Sequence, residues 1–250
     1  MAGGPGPVAL VGSGEFLPVM EPVDAALLEG RPQRVVVLPT AATREGDARV
    51  SYWLELGRSH YEAMGVEPVL LDVRTRRDAQ DPATAELIEG AGLVYLSGGD
   101  PHHLAETLRD TALWHAIVAA WQAGTALAGC SAGAMALTTG APNNLLPTGG
   151  ASRRAPEHPR VANGLGLLPN LAVIPHFDQM ERFRPGALEW FGSWQPPGTT
   201  LLGIDEDTAL VRTDDRWEVH GVGGVWILDA IAKTRFGAGD GLPLPATGSQ

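Results

Sequence analysis

The residues Gly129-Cys130-Ser131-Ala132-Gly133 place a serine hydroxyl at the centre of a pentapeptide otherwise made of small side chains. Thr125–Ala128 before it is apolar and reads as a strand, and Ala134-Met135-Ala136 after it reads as a helix. A Gly-x-Ser-x-Gly turn between a strand and a helix pushes the serine Oγ out of a strained bend. It needs Gly or Ala neighbours because larger side chains would collide with the adjoining strand and helix. The helix then aims its unpaired amides at the oxyanion of an acyl transfer. An N-capping serine on a small-residue helix is the plainer alternative, and the strand in front favours the nucleophile. Cys130 carries the intrinsically better nucleophile, but its side chain at the second position points away from the apex. It reads as a small buried hydrophobe.

Two other glycine turns follow apolar runs and belong at the same sheet edge. Leu96-Ser97-Gly98-Gly99-Asp100-Pro101 brings backbone amides toward the serine, so Gly99 and Ala132 are the expected oxyanion donors. Asp100 also reads as the cap of the next helix. Gly12-Ser13-Gly14-Glu15 lacks the third glycine and the acidic ribose ligand of a dinucleotide site. It is better read as a third edge turn with Glu15 facing the crevice. Glu15, Asp100 and His102 are thus candidates to contact substrate.

Of the chain's 7 histidines, His176 is the expected general base. It ends the apolar run Leu171–Pro175 downstream of the serine, where its imidazole would take the Ser131 proton and return it to a leaving amine. His60 and His115 fall within helical patterns, His158 in a loop and His220 in a late strand. His102 and His103 are adjacent, point in different directions and lack a metal-binding spacing, so no metal is expected. The orienting acid stays open among Asp178, two residues beyond His176, and the carboxylates of Asp205-Glu206-Asp207.

The elements that must hold these groups alternate. Val8–Gly12, Arg34–Pro39, Glu67–Val73, Leu93–Leu96 and Thr125–Ala128 read as strands. Val19–Leu28, Ala48–Met64, Pro82–Glu89, His103–Leu108 and Leu113–Ala123 read as helices between them. This order predicts βαβ units and a mostly parallel central sheet. Continuous apolar runs such as Val35-Val36-Val37-Leu38 predict cover on both faces, hence an α/β three-layer sandwich. Residues 140–170 read as a long loop carrying Arg153-Arg154. Leu171–His176 reads as a further strand. Thr208–Arg212, Trp217–His220 and Val225–Ile227 read as a C-terminal antiparallel extension, with turns at Asp214-Asp215 and Gly221 to Gly224. One domain over 1–236 and a flexible Gly/Pro/Ser-rich tail over 237–250 are expected.

Composition removes several function classes. With 44% hydrophobic and 19% charged residues, the 250-residue chain has the make-up of an ordinary globular protein. A formal charge of −11 argues against general nucleic-acid binding and allows cationic peptides to approach. No apolar run approaches the ~20 residues of a membrane helix. Val8–Val11 has no basic segment before it and reads as a strand rather than a signal peptide. The single cysteine permits no internal disulfide, which fits a cytoplasmic protein. A homodimer is compatible with the sequence, which sets no oligomeric state.

Taken together, Gly12-Ser13-Gly14-Glu15, Ser97-Gly98-Gly99-Asp100, Gly129–Ala134, Pro175-His176-Phe177 and Gly203–Ala209 resemble the cyanophycinase and aspartyl dipeptidase (peptidase E-like) family of serine peptidases. The resemblance implies a fold similar to class I glutamine amidotransferases, of flavodoxin-like layering, with serine replacing cysteine at the elbow. It implies cleavage next to aspartyl residues without metal or cofactor, and a Ser–His–Glu arrangement carried by Ser131, His176 and Glu206. It also implies that Arg182 grips a substrate carboxylate by bidentate hydrogen bonds. The dipeptidase branch takes its acid shortly after the serine, but here no Asp or Glu lies between Ser131 and Glu157, which favours Glu206. The alternatives are a glutaminase acting through Cys130 and a non-catalytic binding protein on the same fold.

Overall fold

The computed structural model describes residues 4–142, 161–183, 198–214, 216–229 and 233–244. Its central sheet is laid down by β1 (Val8–Val11), β2 (Arg34–Leu38), β3 (Glu67–Leu70), β4 (Leu93–Leu96) and β5 (Ala126–Cys130). These five pair in parallel in the order β1-β5-β4-β2-β3. The helices α1 (Glu21–Leu28), α2 (Asp47–Ala63), α3 (Arg76–Gln80), α4 (Pro82–Glu86), α5 (Pro101–Leu108) and α6 (Ala112–Gln122) make the crossovers. Parallel strands require such crossovers, and they cover both faces.

Alternation along each strand divides the core. Val8, Leu10, Val36, Leu38, Val94 and Leu96 pack on one face with Leu104, Leu108, Leu113 and Ile117 from α5 and α6. Ala9, Val11, Val35, Val37, Tyr95 and Cys130 pack on the other with Val23, Leu27 and Tyr61 from α1 and α2. Successive side chains point to opposite faces, so strands buried on both faces are apolar throughout. The expected three-layer α/β sandwich is what forms.

The short helix α7 (Ala132–Leu137) leads into β6 (Gly140–Pro142), which pairs with β7 (Val161–Asn163) inside the span expected to be a loop. Arg153, Arg154 and His158 lie outside the described residues. Then β8 (Leu171–Ile174) and α8 (Met180–Phe183) precede β9 (Thr200–Ile204), β10 (Thr208–Thr213), β11 (Arg216–Gly221), β12 (Gly224–Leu228), β13 (Lys233–Gly237) and β14 (Gly241–Leu242).

The C-terminal strands do not make one antiparallel set. β10 pairs antiparallel to β1 and carries β11 and β14 as the far edge of the central sheet. β12 leaves for a second sheet, ordered β13-β12-β9-β8, in which β8 and β9 are parallel. Gly221 has φ +103°, and Asp205 accepts bonds from the Gly224 N–H at 2.9 Å and the Trp226 indole N–H at 3.0 Å. Those bonds draw β12 onto β9. The segment expected to be a flexible tail likewise contributes β14, with Leu242 buried, while residues 245–250 lie outside the described range.

Candidate active site

The two glycines around the serine are sterically required. A Cβ on Gly129 would sit 2.5 Å from the Gly133 carbonyl carbon, and one on Gly133 would run into the Leu96 carbonyl oxygen. With both absent, α7 can start directly at the end of β5. Ser131 at the junction has φ 49° and ψ −107°, a strained conformation for a residue with a side chain, costing about 1–3 kcal/mol. Its N–H donates to the Val11 carbonyl at 2.9 Å, which anchors the turn to β1.

His176 comes from the other sheet. It follows β8 in the left-handed region, at φ 52° and ψ 38°. Its Nε2 lies 3.0 Å from Ser131 Oγ and its Nδ1 3.0 Å from Glu206 Oε1. An ionised carboxylate only accepts, so Nδ1 donates to Glu206 and Nε2 is left to accept the Ser131 proton. Glu206 sits in the tight turn between β9 and β10, where Asp207 has φ 52°. Ser131 is therefore presented by the central sheet, and His176 and Glu206 by the ends of β8 and β9 in the smaller sheet. Their meeting is a tertiary event.

The other two acid candidates are engaged elsewhere. Asp178 Oδ1 accepts the Glu206 backbone N–H at 2.8 Å, so it supports the turn that carries Glu206. Asp205 is buried on the Gly224 and Trp226 donors, and desolvation raises its carboxyl above the usual range. Neither carboxylate bonds the imidazole.

Around Ser131 and His176 opens a cleft of about 710 Å³. Gly98, Gly99, Asp100 and Glu15 line it, as the glycine turns suggested. The N–H groups of Gly99 and Ala132 have no hydrogen-bond partner among the described residues, whereas that of Gly98 donates to Glu15 Oε1 at 3.0 Å. Gly99, at φ +140°, has no room for a Cβ against Ala41. Asp100 caps α5 through the His102 and His103 amides and pairs with Arg44 at 2.8 Å. His102 is held by its backbone at that cap and does not line the cleft. Arg182 is exposed on α8 and does not line it either. Among the described residues, no three His, Cys, Asp or Glu side chains are gathered as a metal would need.

The cleft wall that sequence reasoning missed comes from α2 and the turn before it. Arg44, Arg49, Tyr52, Trp53 and Leu56 line it. The Arg49 guanidinium lies 5.1 Å from the Tyr52 ring centre and 4.9 Å from that of Trp53. Arg49, Tyr52, Trp53 and Leu56 recur at helical spacings of three and four, a stripe whose mixture of charge and aromatic rings was the available signal.

Cys130 is fully buried on the α1/α2 side of the sheet, and its thiol donates to Glu15 Oε2 at 2.8 Å. Burial, and then the neighbouring carboxylate, push the thiol well up, so it stays protonated. This opposes a thiolate nucleophile at that position.

A profile of peptidase family S51 matches residues 8–220. The chain belongs to that family. Curated relatives include the cyanophycinase of Trichormus variabilis, 36% identical over 70% of this chain and 57% of that protein. The cyanophycinase of Geminocystis herdmanii is 32% identical over 82% of this chain and 73% of that protein. The chain thus spans little more than half the length of the first of these. Among solved structures, a peptidase from an acI-B1 Actinobacterium superposes with a TM-score of 0.83 at 40% identity, covering 95% of this chain and 96% of its own. A protein described as a peptidase E from Listeria monocytogenes EGD-e shares the fold, with a TM-score of 0.60 at 18% identity over 88% of this chain and 100% of its own. No helix among the described residues is long and apolar enough to cross a membrane.

Proposed function

We propose that the chain is a serine peptidase that hydrolyses peptide bonds next to aspartyl residues through an acyl-enzyme. The observation that carries this reading is the hydrogen-bonded series Ser131 Oγ, His176 Nε2, His176 Nδ1 and Glu206 Oε1, with both links at 3.0 Å, on the rim of the cleft. Ser131 Oγ attacks the scissile carbonyl carbon as its proton passes to His176 Nε2. The Gly99 and Ala132 amides receive the oxyanion. Collapse expels the amine, which takes the proton from Nε2 and leaves an ester on Ser131. Water then attacks that ester, giving its proton to His176, and the serine is released with a carboxylic acid product. Glu206 keeps Nδ1 protonated and stabilises the imidazolium that forms twice in the cycle.

The aspartyl preference is supported by membership of a family that includes cyanophycinases and by two guanidinium groups, Arg44 and Arg49, on the cleft wall. Arg44 is paired with Asp100 at 2.8 Å and Glu106 at 3.4 Å, and Arg49 with Glu45 at 3.3 Å, so a substrate carboxylate would have to share or displace these partners to form a charge-assisted pair. The test is parallel turnover of α-aspartyl dipeptides, isoaspartyl dipeptides and cyanophycin, with fluorophosphonate labelling located by mass spectrometry. Labelling at Ser131 with aspartyl turnover is expected, and Ser131→Ala should lower turnover by about 10⁴–10⁶. Ammonia release from glutamine that is lost in Cys130→Ala and kept in Ser131→Ala would replace this reading by the glutaminase one.

A further inference from the structure

Glu15 is a buried carboxylate on the cleft wall, and the acyl-transfer steps above leave it without a task. It leaves β1 through Gly14, at φ 84°, and precedes Phe16, at φ 62°, so the backbone on both sides of it is turned through the left-handed region. Phe16 is clamped against Tyr95 at 4.8 Å and Tyr61 at 5.8 Å between ring centres. This setting aims the carboxylate between two other strand ends. Oε1 accepts the Gly98 N–H at 3.0 Å, and Oε2 accepts the Cys130 S–H at 2.8 Å. One side chain therefore ties the turn after β4 to the residue before the nucleophile.

The consequence concerns which amide meets the oxyanion. Gly98 abuts the nucleophile: a Cβ placed on it would lie 3.5 Å from Ser131 Cβ and 4.0 Å from Ser131 Oγ. Of the two successive glycine amides there, Gly98 is bonded to Glu15 and Gly99 is without a partner among the described residues. The Ser97 N–H on the Leu38 carbonyl at 3.1 Å and the Asp100 N–H on the Ala41 carbonyl at 2.8 Å hold the two ends of the turn, but between them Gly-Gly is free to rotate its central peptide, and Glu15 supplies the restraint there. Preorganised donors are effective because they need no reorientation when charge develops.

We infer that Glu15 is a positioning residue for the reaction: with the Cys130 thiol as its clamp, it withdraws the Gly98 N–H and fixes the Ser97-Gly98 peptide, the plane to which the Gly98-Gly99 peptide is joined, so that the Gly99 N–H is the donor offered to the oxyanion. The inference rests on the serine peptidase reading. It also gives Cys130 a role as hydrogen-bond donor rather than nucleophile.

The test compares Glu15→Gln and Glu15→Ala in the full chain. It measures the rate of fluorophosphonate labelling at Ser131, kcat and KM on an aspartyl dipeptide, and affinity for a peptide aldehyde that forms a tetrahedral adduct. Glutamine keeps an oxygen for the Gly98 N–H, so it should stay within about ten-fold of wild type. Alanine should lose roughly 10²-fold or more in kcat, labelling and aldehyde affinity together, with KM nearly unchanged, as expected for an oxyanion donor out of place. A Glu15→Ala protein that labels at the wild-type rate overturns the inference. So does a loss in which glutamine is as poor as alanine, since charge rather than position would then be at stake. Should Glu15→Ala fail to fold, Cys130→Ser and Cys130→Ala carry the comparison. Serine retains a donor and should label faster than alanine by about three- to ten-fold, and equal rates overturn the inference. A wild-type protein that never labels at Ser131 refutes the peptidase reading and this inference with it, which separates that failure from a failure of Glu15 alone.

Discussion

Replacing Glu206 by glutamine tests whether the acid acts through the imidazole tautomer. In the wild type, Glu206 Oε1 accepts from His176 Nδ1 at 3.0 Å, which leaves Nε2 bare toward Ser131 Oγ. Glutamine is isosteric but can present its NH₂ group to Nδ1, and the proton then moves to Nε2, where it blocks acceptance from the serine. Loss of a charge-assisted hydrogen bond, worth about 1.5–3 kcal/mol, corresponds to roughly 10–150-fold at 1.36 kcal/mol per decade. The wrong tautomer adds to this, and in a fully buried Ser-His-Asp triad the corresponding amide substitution costs about 10⁴. The Glu206 side chain is 37% exposed, so water supports the imidazolium in part and moderates the loss. The expected fall in kcat is about 10²–10³, with KM changed less than about three-fold. Steady-state cleavage of an aspartyl dipeptide gives both constants, and the fluorophosphonate labelling rate reports the serine independently of product release. Asp178→Asn is the control, because asparagine retains an oxygen for the Glu206 N–H. A Glu206→Gln loss below about five-fold, or an Asp178→Asn loss exceeding it, would refute the assignment of the acid.

Gly133→Ala would force a methyl group into the Leu96 carbonyl and should destabilise the fold by about 3 kcal/mol, lowering the thermal midpoint by roughly 6–12 °C; an unchanged midpoint in scanning calorimetry would contradict the packing described for the elbow. The buried thiol of Cys130 carries a raised pKa, so above about pH 8.5 the unfolded chain loses that proton while the native chain keeps it. Stability therefore falls as pH rises through that window, by up to about 1.4 kcal/mol per unit from this group, and the slope difference should disappear in Cys130→Ala. Urea unfolding of both proteins between pH 7.5 and 10 would show it, and parallel slopes would refute it.

The layering of the fold was legible because it is a one-dimensional property. Runs such as Val35–Leu38 are apolar at every position only when both faces of a strand are covered, and Gly129 and Gly133 flank Ser131 because a turn between packed elements excludes any Cβ. The placement of His176 at a sheet edge was legible for the same reason, as a polar residue just beyond the buried strand β8. Which acid faces it was left open by the residue pattern, and only the family resemblance favoured Glu206. Asp178, Asp205 and Glu206 have the same functional group within a few residues of sheet-end turns, and only the pairing of β8 with β9 puts Glu206 on Nδ1, Asp178 on the Glu206 amide and Asp205 on Gly224 and Trp226. Tertiary structure likewise divided the C-terminal strands between two sheets, built a cleft wall from α2, and left Arg182 and His102 off it. The sequence by itself determined the strand ends and the Gly129–Gly133 turn, since local sterics and burial specify them. The partners of each polar atom depended on segments brought together from 93 positions or more apart in some pairs, such as Glu15 with Cys130 at a separation of 115, and no local pattern encodes such a distance.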